Sequence, residues 1–106
     1  MDQIDLSAYY GAQRIKFTLG GKKYQVANIQ NPSPGILPDL NARKDDIRKT
    51  LRWLNQNKGE INILAGDFNM GYTNVEDAIK SVNPFGFIGV PSRACTLLDC
   101  IFAWGE

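Results

Sequence analysis

The sequence predicts a layered α/β domain in which helices cover a mixed sheet, in the order β-β-α-β-α-β. Three observations carry this. Residues 14–29 alternate polar and apolar around a Gly-Gly pair. Residues 40–54 place apolar side chains at helical spacing. A mostly apolar run, Glu60 to Ala65, then drives straight into Gly-Asp-Phe-Asn. At 106 residues the chain is expected to form one domain, 1–106, with one modest core and residues 1–12 as an N-terminal arm.

The first element is a hairpin. Ile15, Phe17 and Leu19 alternate with Arg14, Lys16 and Thr18, and Gly20-Gly21 supplies the positive-φ turn positions. The second strand, Tyr24 to Ile29, ends at Asn-Pro-Ser-Pro-Gly-Ile-Leu-Pro, where the prolines force an irregular loop. A helix follows. Leu40, Ile47, Leu51 and Leu54 form its apolar stripe, charged residues fill the positions between, and Gly59 is a natural C-terminal stop. The strand from Glu60 to Ala65 has the composition of one covered on both faces.

Residues 73–82 read as a short helix, with Thr73 and Glu76 as a capping box and Val75, Ile79 and Val82 as its stripe. Residues 83–92 are expected as a loop or broken edge strand. The last strand is Thr-Leu-Leu-Asp-Cys-Ile-Phe-Ala-Trp, with Asp99 in an apolar context.

Composition removes several function classes. Twelve Lys and Arg oppose 11 Asp and Glu, so no polybasic nucleic-acid tail or acidic tail is present. No apolar run approaches the roughly 18 residues of a membrane span. The first ten residues do not read as a signal peptide, so the expectation is an intracellular, cytoplasmic protein. The chain contains no histidine, which removes histidine-dependent triads and histidine zinc sites. Cys95 and Cys100 lie at odd spacing, on opposite faces of a single extended strand. They are therefore expected as free thiols in a reducing compartment.

The candidate site residues gather where ligands collect in such folds, outside the carboxyl ends of strands. If the strand continues through Phe68, Asp67 and Asn69 share one face and Phe68 points to the core. A carboxylate and an amide on one face suit a hard cation or a water aimed at phosphorus. A turn in which Asp67 accepts local backbone N–H groups is the alternative. A calcium loop starting at Asp67 fails, because Tyr72 replaces the required glycine and Ala78 the bidentate acid.

Asp99 reads either as a functional acid or as an edge-strand acid facing solvent, with Thr96 and Ser92 as nearby hydroxyl donors. Asn28, Gln30 and Asn31 form an amide cluster that suits phosphate, a sugar or loop backbone. Arg43, Lys44, Arg48, Lys49 and Arg52 read as a solvated helix face. Trp53 suits sheet packing or base stacking.

Taken together, "YQVANIQN", the helix containing Arg43, "ILAGDFN" and "TLLDCIF" resemble, in order, the second half of a domain of the endonuclease/exonuclease/phosphatase superfamily, the group related to DNase I. The resemblance implies half of an α/β/β/α sandwich whose bare inner sheet face needs a covering layer, a homodimer or a partner chain. It implies metal-dependent phosphodiester hydrolysis of the nuclease type with Mg2+ or Mn2+, on nucleic acid or another phosphate ester.

Asp67, Asn69 and Asp99 would be catalytic, with Asp67 and Asn69 also holding metal. Asn28, Gln30, Asn31 and Arg43 would bind substrate. The pattern departs from the family in three ways. The N-terminal half that carries the metal-binding glutamate is missing, Gln30 stands where the family has histidine, and the chain stops before the closing Ser-Asp-His run. The resemblance therefore also accommodates an impaired enzyme, or a non-catalytic module that binds nucleic acid or protein.

Overall fold

In the computed structural model, which describes residues 2–7, 10–86 and 91–105, six strands form one mixed sheet. They are β1 (Asp2–Asp5), β2 (Gly11–Leu19), β3 (Lys22–Gln30), β4 (Ile61–Asp67), β5 (Ser92–Cys95) and β6 (Asp99–Trp104), in the spatial order β1-β2-β3-β4-β6-β5. Only β3 and β4 run parallel, and the helix α1 (Leu40–Asn55) makes the crossover between them. A second helix, α2 (Tyr72–Val82), connects β4 to the last hairpin through a single 3-10 turn at Pro84–Gly86.

Both helices lie on the same face of the sheet. Ala12, Ala27, Ile29, Leu64, Phe102 and Trp104 point into this layer, where they meet Ile47, Leu51, Leu54, Val75, Ala78 and Ile79. Phe68 packs edge-on against Phe102 with ring centroids 5.7 Å apart, which locks the end of β4 to β6. A buried polar strip runs beneath the C-terminal end of α1. Arg14 donates to Gln25 at 3.1 Å, and Gln25 donates to the Leu54 carbonyl and to Asn62, both at 3.0 Å. The Arg14 guanidinium lies 4.0 Å from the centroid of the Trp53 ring, so Trp53 packs against the sheet.

Several expectations change. Residues 2–5 of the expected arm form the edge strand β1, held by antiparallel pairing to β2. A short strand, β5, precedes the last one, and residues 87–90 of the expected loop lie outside the described residues. α2 begins one residue early, with Gly71 as its N-cap and no side-chain cap. Glu76 is spent on Lys80 at 2.7 Å instead of on a capping box. In α1, Asp39 caps the helix by accepting from Asn41 N–H at 2.9 Å, and the helix ends at Asn55. Leu40 lies at the exposed first turn and is no part of the buried stripe, whereas Arg43 is buried.

The cysteines are joined by a disulfide. The expectation of free thiols treated residues 95–100 as one strand. A turn separates the two cysteines, which then stand directly opposite in the β5–β6 register, on one face and 4.2 Å apart between Cα atoms. Among the described residues no helix is long and apolar enough to cross a membrane.

Candidate active site

Among the described residues no layer covers the face of the sheet away from the helices, and its side chains fall into cross-strand rows. At the hairpin end lie Leu19, then the stacked pair Phe17 and Tyr24 (ring centroids 5.0 Å apart) beside Ile61. The next row is aliphatic: Ile15, Val26, Ile63 and Ala103. Then comes an amide row, Gln3, Gln13 and Asn28, continued by Ala65 and Ile101. The last row, at the carboxyl end of β3 and β4, is Gln30, Asp67 and Asp99. The open face thus grades from apolar to acidic along the strands. Ile15 (48% exposed), Phe17 (40%) and Leu19 (64%) show how bare its apolar end is.

Asp67 and Asp99 stand directly opposite each other on β4 and β6. Like charges in this relationship repel, which leaves the pair suited to a cation. They line a cavity of about 480 Å3 with Asn28, Gln30, Ala94 and Thr96. Asp99 is exposed at the first position of β6 and so bears no burial penalty. The Thr96 hydroxyl donates to the Asp99 backbone carbonyl (3.4 Å), and Ser92 pairs with Ala103 at the far end of β5. Neither serves the Asp99 carboxylate.

The strand stops at Asp67, so simple alternation does not carry Asn69 onto the same face. Asp67 Oδ1 accepts the Asn69 backbone N–H at 3.0 Å, which is the turn alternative. Its Oδ2 takes no hydrogen bond among the described residues and remains available to a ligand. Asn69 occupies the left-handed region at φ 49°. Its side-chain amide donates to the Asn31 carbonyl at 2.6 Å, and its Oδ1 takes no hydrogen bond among the described residues. Gly66 is required immediately upstream. Its φ is 151°, and a Cβ there would collide with the Ile29 carbonyl of β3.

Two of the expected substrate-binding residues lie behind the site. Asn31 is fully buried; its side chain donates to the Arg43 carbonyl at 2.9 Å, and its backbone N–H donates to the Asp67 carbonyl at 2.9 Å. Arg43, 6% exposed, donates from Nη1 to the Asn69 carbonyl at 3.1 Å. These two residues hold the turn that carries Asp67 and Asn69. Asn28 and Gln30 are the amides that reach the cavity. The amide row extending to Gln3 and Gln13 was not foreseen in the sequence. Its only local signal, a polar residue at alternate positions, is shared by any exposed strand.

No protein-family model and no curated protein matches the sequence. Solved structures do match in fold. The humanized D. rerio TDP2 structure superposes with a TM-score of 0.69 at 16% identity, over 98% of this chain and 47% of that one. Staphylococcus aureus beta toxin, in a structure with bound magnesium ions, gives 0.66 at 18% identity, over 90% and 42%. SmcL gives 0.65 at 19% identity, over 90% and 43%.

The chain has a partial DNase I-like fold.

It spans less than half the length of these three structures, and the part it spans is one sheet with its helical layer. At such identities the likeness is one of fold. D. rerio TDP2 is also solved in complex with a single-strand DNA product, with a TM-score of 0.63 at 15% identity.

Proposed function

We propose that this chain performs metal-dependent phosphodiester hydrolysis of the nuclease type at the Asp67–Asp99 cavity, once a second layer covers its open face. The observation that carries this reading is the carboxylate pair, opposed in register over a cavity lined by neutral amides.

The donor set fits a hard divalent cation, Mg2+ or Mn2+. Among the described residues no third histidine, cysteine or acid joins the pair. The chain thus offers Asp67 Oδ2, the Asp99 carboxylate and, on the adjoining turn, Asn69 Oδ1. That is all-oxygen and sparse, as suits an ion that keeps several waters and is held by one or two carboxylates plus phosphate. When bound, such an ion neutralises phosphate charge and lowers the pKa of a water.

Asp67 is the residue that orients and accepts a proton from the attacking water, because its Oδ1 is fixed by the turn while Oδ2 takes no hydrogen bond among the described residues. Asp99 shares the cation. Asn28 and Gln30 donate side-chain N–H groups to non-bridging phosphate oxygens. Arg43 and Asn31 hold the turn in register. The apolar rows of the open face are covered by a second copy or by another chain, and that layer completes the wall of the site.

Hydrolysis of bis(p-nitrophenyl) phosphate and of single-stranded DNA with Mg2+ or Mn2+ tests the reading. Asp67→Asn should lower the rate by about 10²-fold or more. Absence of cleavage at any metal concentration, by the pure protein and by its assembled form, sinks it. The absence of histidine in the chain favours a second reading, a non-catalytic module that uses the same cavity to bind nucleic acid or protein. That reading requires binding without metal that survives Asp67→Asn.

A further inference from the structure

The open face is charged unequally along its strands. At the hairpin end Lys22 stands directly opposite Leu19, beside the Gly20-Gly21 turn. At the other end the row of Gln30, Asp67 and Asp99 extends to Asp5, which pairs with Gly11 on the same face. Among the described strand residues of this face, Lys22 is the only cation and those aspartates are the only acids. Lys22 is out of reach of them, because β3 advances eight positions from Lys22 to Gln30, about 26 Å.

Bulk is unequal in the same direction. The row next to the hairpin is Phe17, Tyr24 and Ile61, and the row next to the acids is Gln13, Asn28 and Ala65. Between them lies the aliphatic row, with Val26 at the midpoint of β3. Consider a two-fold axis along this middle row, between two copies laid face to face with their strands antiparallel. The aliphatic row then packs on itself, and each bulky row meets its partner's slimmer one. Each Lys22 comes over the partner's row of acids. An axis parallel to the strands does the reverse. It crowds the aspartates of both copies into one mouth, and it sets lysine on lysine and aromatic on aromatic at the other end. Charge and bulk both select the antiparallel arrangement.

The size of the face also suits a dimer. Strands about 4.8 Å apart, with residues rising about 3.3 Å, give this six-stranded face roughly 600–800 Å2, against about 800 Å2 per partner in a standard interface.

We infer that the layer covering the open face is a second copy of this chain, packed face to face with its strands antiparallel to those of the first. This rests on the phosphodiester reading's requirement for a covered face, and it names the cover. It also completes the site. The carboxylate cavity has neither lysine nor arginine in its described lining, and the partner's Lys22 brings a cation that can meet a phosphate oxygen there.

Sedimentation equilibrium of wild type, Lys22→Glu, Gln30→Lys and the double variant tests the arrangement. Both positions are exposed strand residues, and circular dichroism checks that each variant is folded. Wild type should be a dimer at micromolar concentration. Gln30→Lys sets a lysine under the partner's Lys22, and Lys22→Glu sets an acid over acids, so each should weaken the dimer about tenfold. The double variant should recover the wild-type affinity. A wild-type monomer overturns the inference. So does a dimer that Gln30→Lys leaves unchanged or tightens, the latter because a lysine there would then face the partner's acids. Hydrolysis of bis(p-nitrophenyl) phosphate with Mg2+ on the same samples separates the two readings. An inactive dimer with these charge effects keeps the assembly and sinks the chemistry, whereas an active monomer does the opposite.

Discussion

Arg43 reaches from the first turn of α1 to the carbonyl of Asn69, 3.1 Å away, and ties the helix layer to the turn beyond β4. Asn69 in turn donates to the Asn31 carbonyl, and Asn31 to the Arg43 carbonyl, which closes a ring of three residues from three segments. Arg43→Met removes the guanidinium and leaves a buried acceptor unpaired. We expect a loss of about 2–3 kcal/mol of stability, read as a lower urea midpoint at unchanged slope. Divalent-ion affinity should fall with it, because the turn that presents Asp67 is no longer held. A variant as stable as wild type would show that the ring does not brace the site.

Phe17 and Tyr24 stack on the uncovered face of the sheet, and their environment decides the oligomeric state. If a second copy covers the apolar rows, light scattering at micromolar concentration gives a dimer, and Phe17→Lys converts it to a monomer. If another chain covers them, wild type is monomeric alone and binds that chain, and Phe17→Lys abolishes the complex. A clean, soluble wild-type monomer with no partner would contradict the covered-face reading.

The Cys95–Cys100 disulfide closes the short β5–β6 hairpin that forms one wall of the cavity. Chain entropy for so small a loop gives about 2 kcal/mol of stabilisation. Thermal unfolding with and without dithiothreitol should show a lower Tm in the reduced form. A Cys95→Ser variant should match the reduced protein and ignore the reductant. Identical melting of the two forms would show that the bridge constrains little.

Asp2 pairs with Arg14 at 2.9 Å and joins β1 to the sheet. The hydrogen bond from the Arg14 guanidinium holds the Asp2 carboxyl below its ordinary value of 3.8. A group depressed in the folded state stabilises above its unfolded pKa and loses that contribution as pH falls through the folded one. The docking of β1 should therefore weaken only below about pH 4. Amide exchange of β1, or the indole N–H shift of Trp53 beneath Arg14, reports it. Asp2→Asn should remove the acid dependence. A transition near neutral pH would point to a different group.

The helix stripe Ile47, Leu51 and Leu54, the Gly20-Gly21 hairpin and the strand ending at Asp67 were legible because each depends on local periodicity or turn chemistry. The position of Asp67 at a strand tip was legible for the same reason. The burial of Arg43 and Asn31 against the turn beyond β4 was not legible, since whether an arginine or asparagine faces solvent or meets backbone depends on which surface its helix or loop packs against. The disulfide was missed because the side-chain period of two holds only while the strand runs, and a turn reset it between Cys95 and Cys100.

The sequence by itself determined the order of the elements from β2 to α2, the two amphipathic helices and the acid at the end of β4, all consequences of spacing within single segments, but not the edge strands β1 and β5. Only the tertiary structure decided that Asp99 stands opposite Asp67, that Gln3, Gln13 and Asn28 form a row, and that Ile15 and Phe17 face no helix. Those relationships are set by register between strands distant in sequence, where a shift of one residue would turn every side chain to the other face.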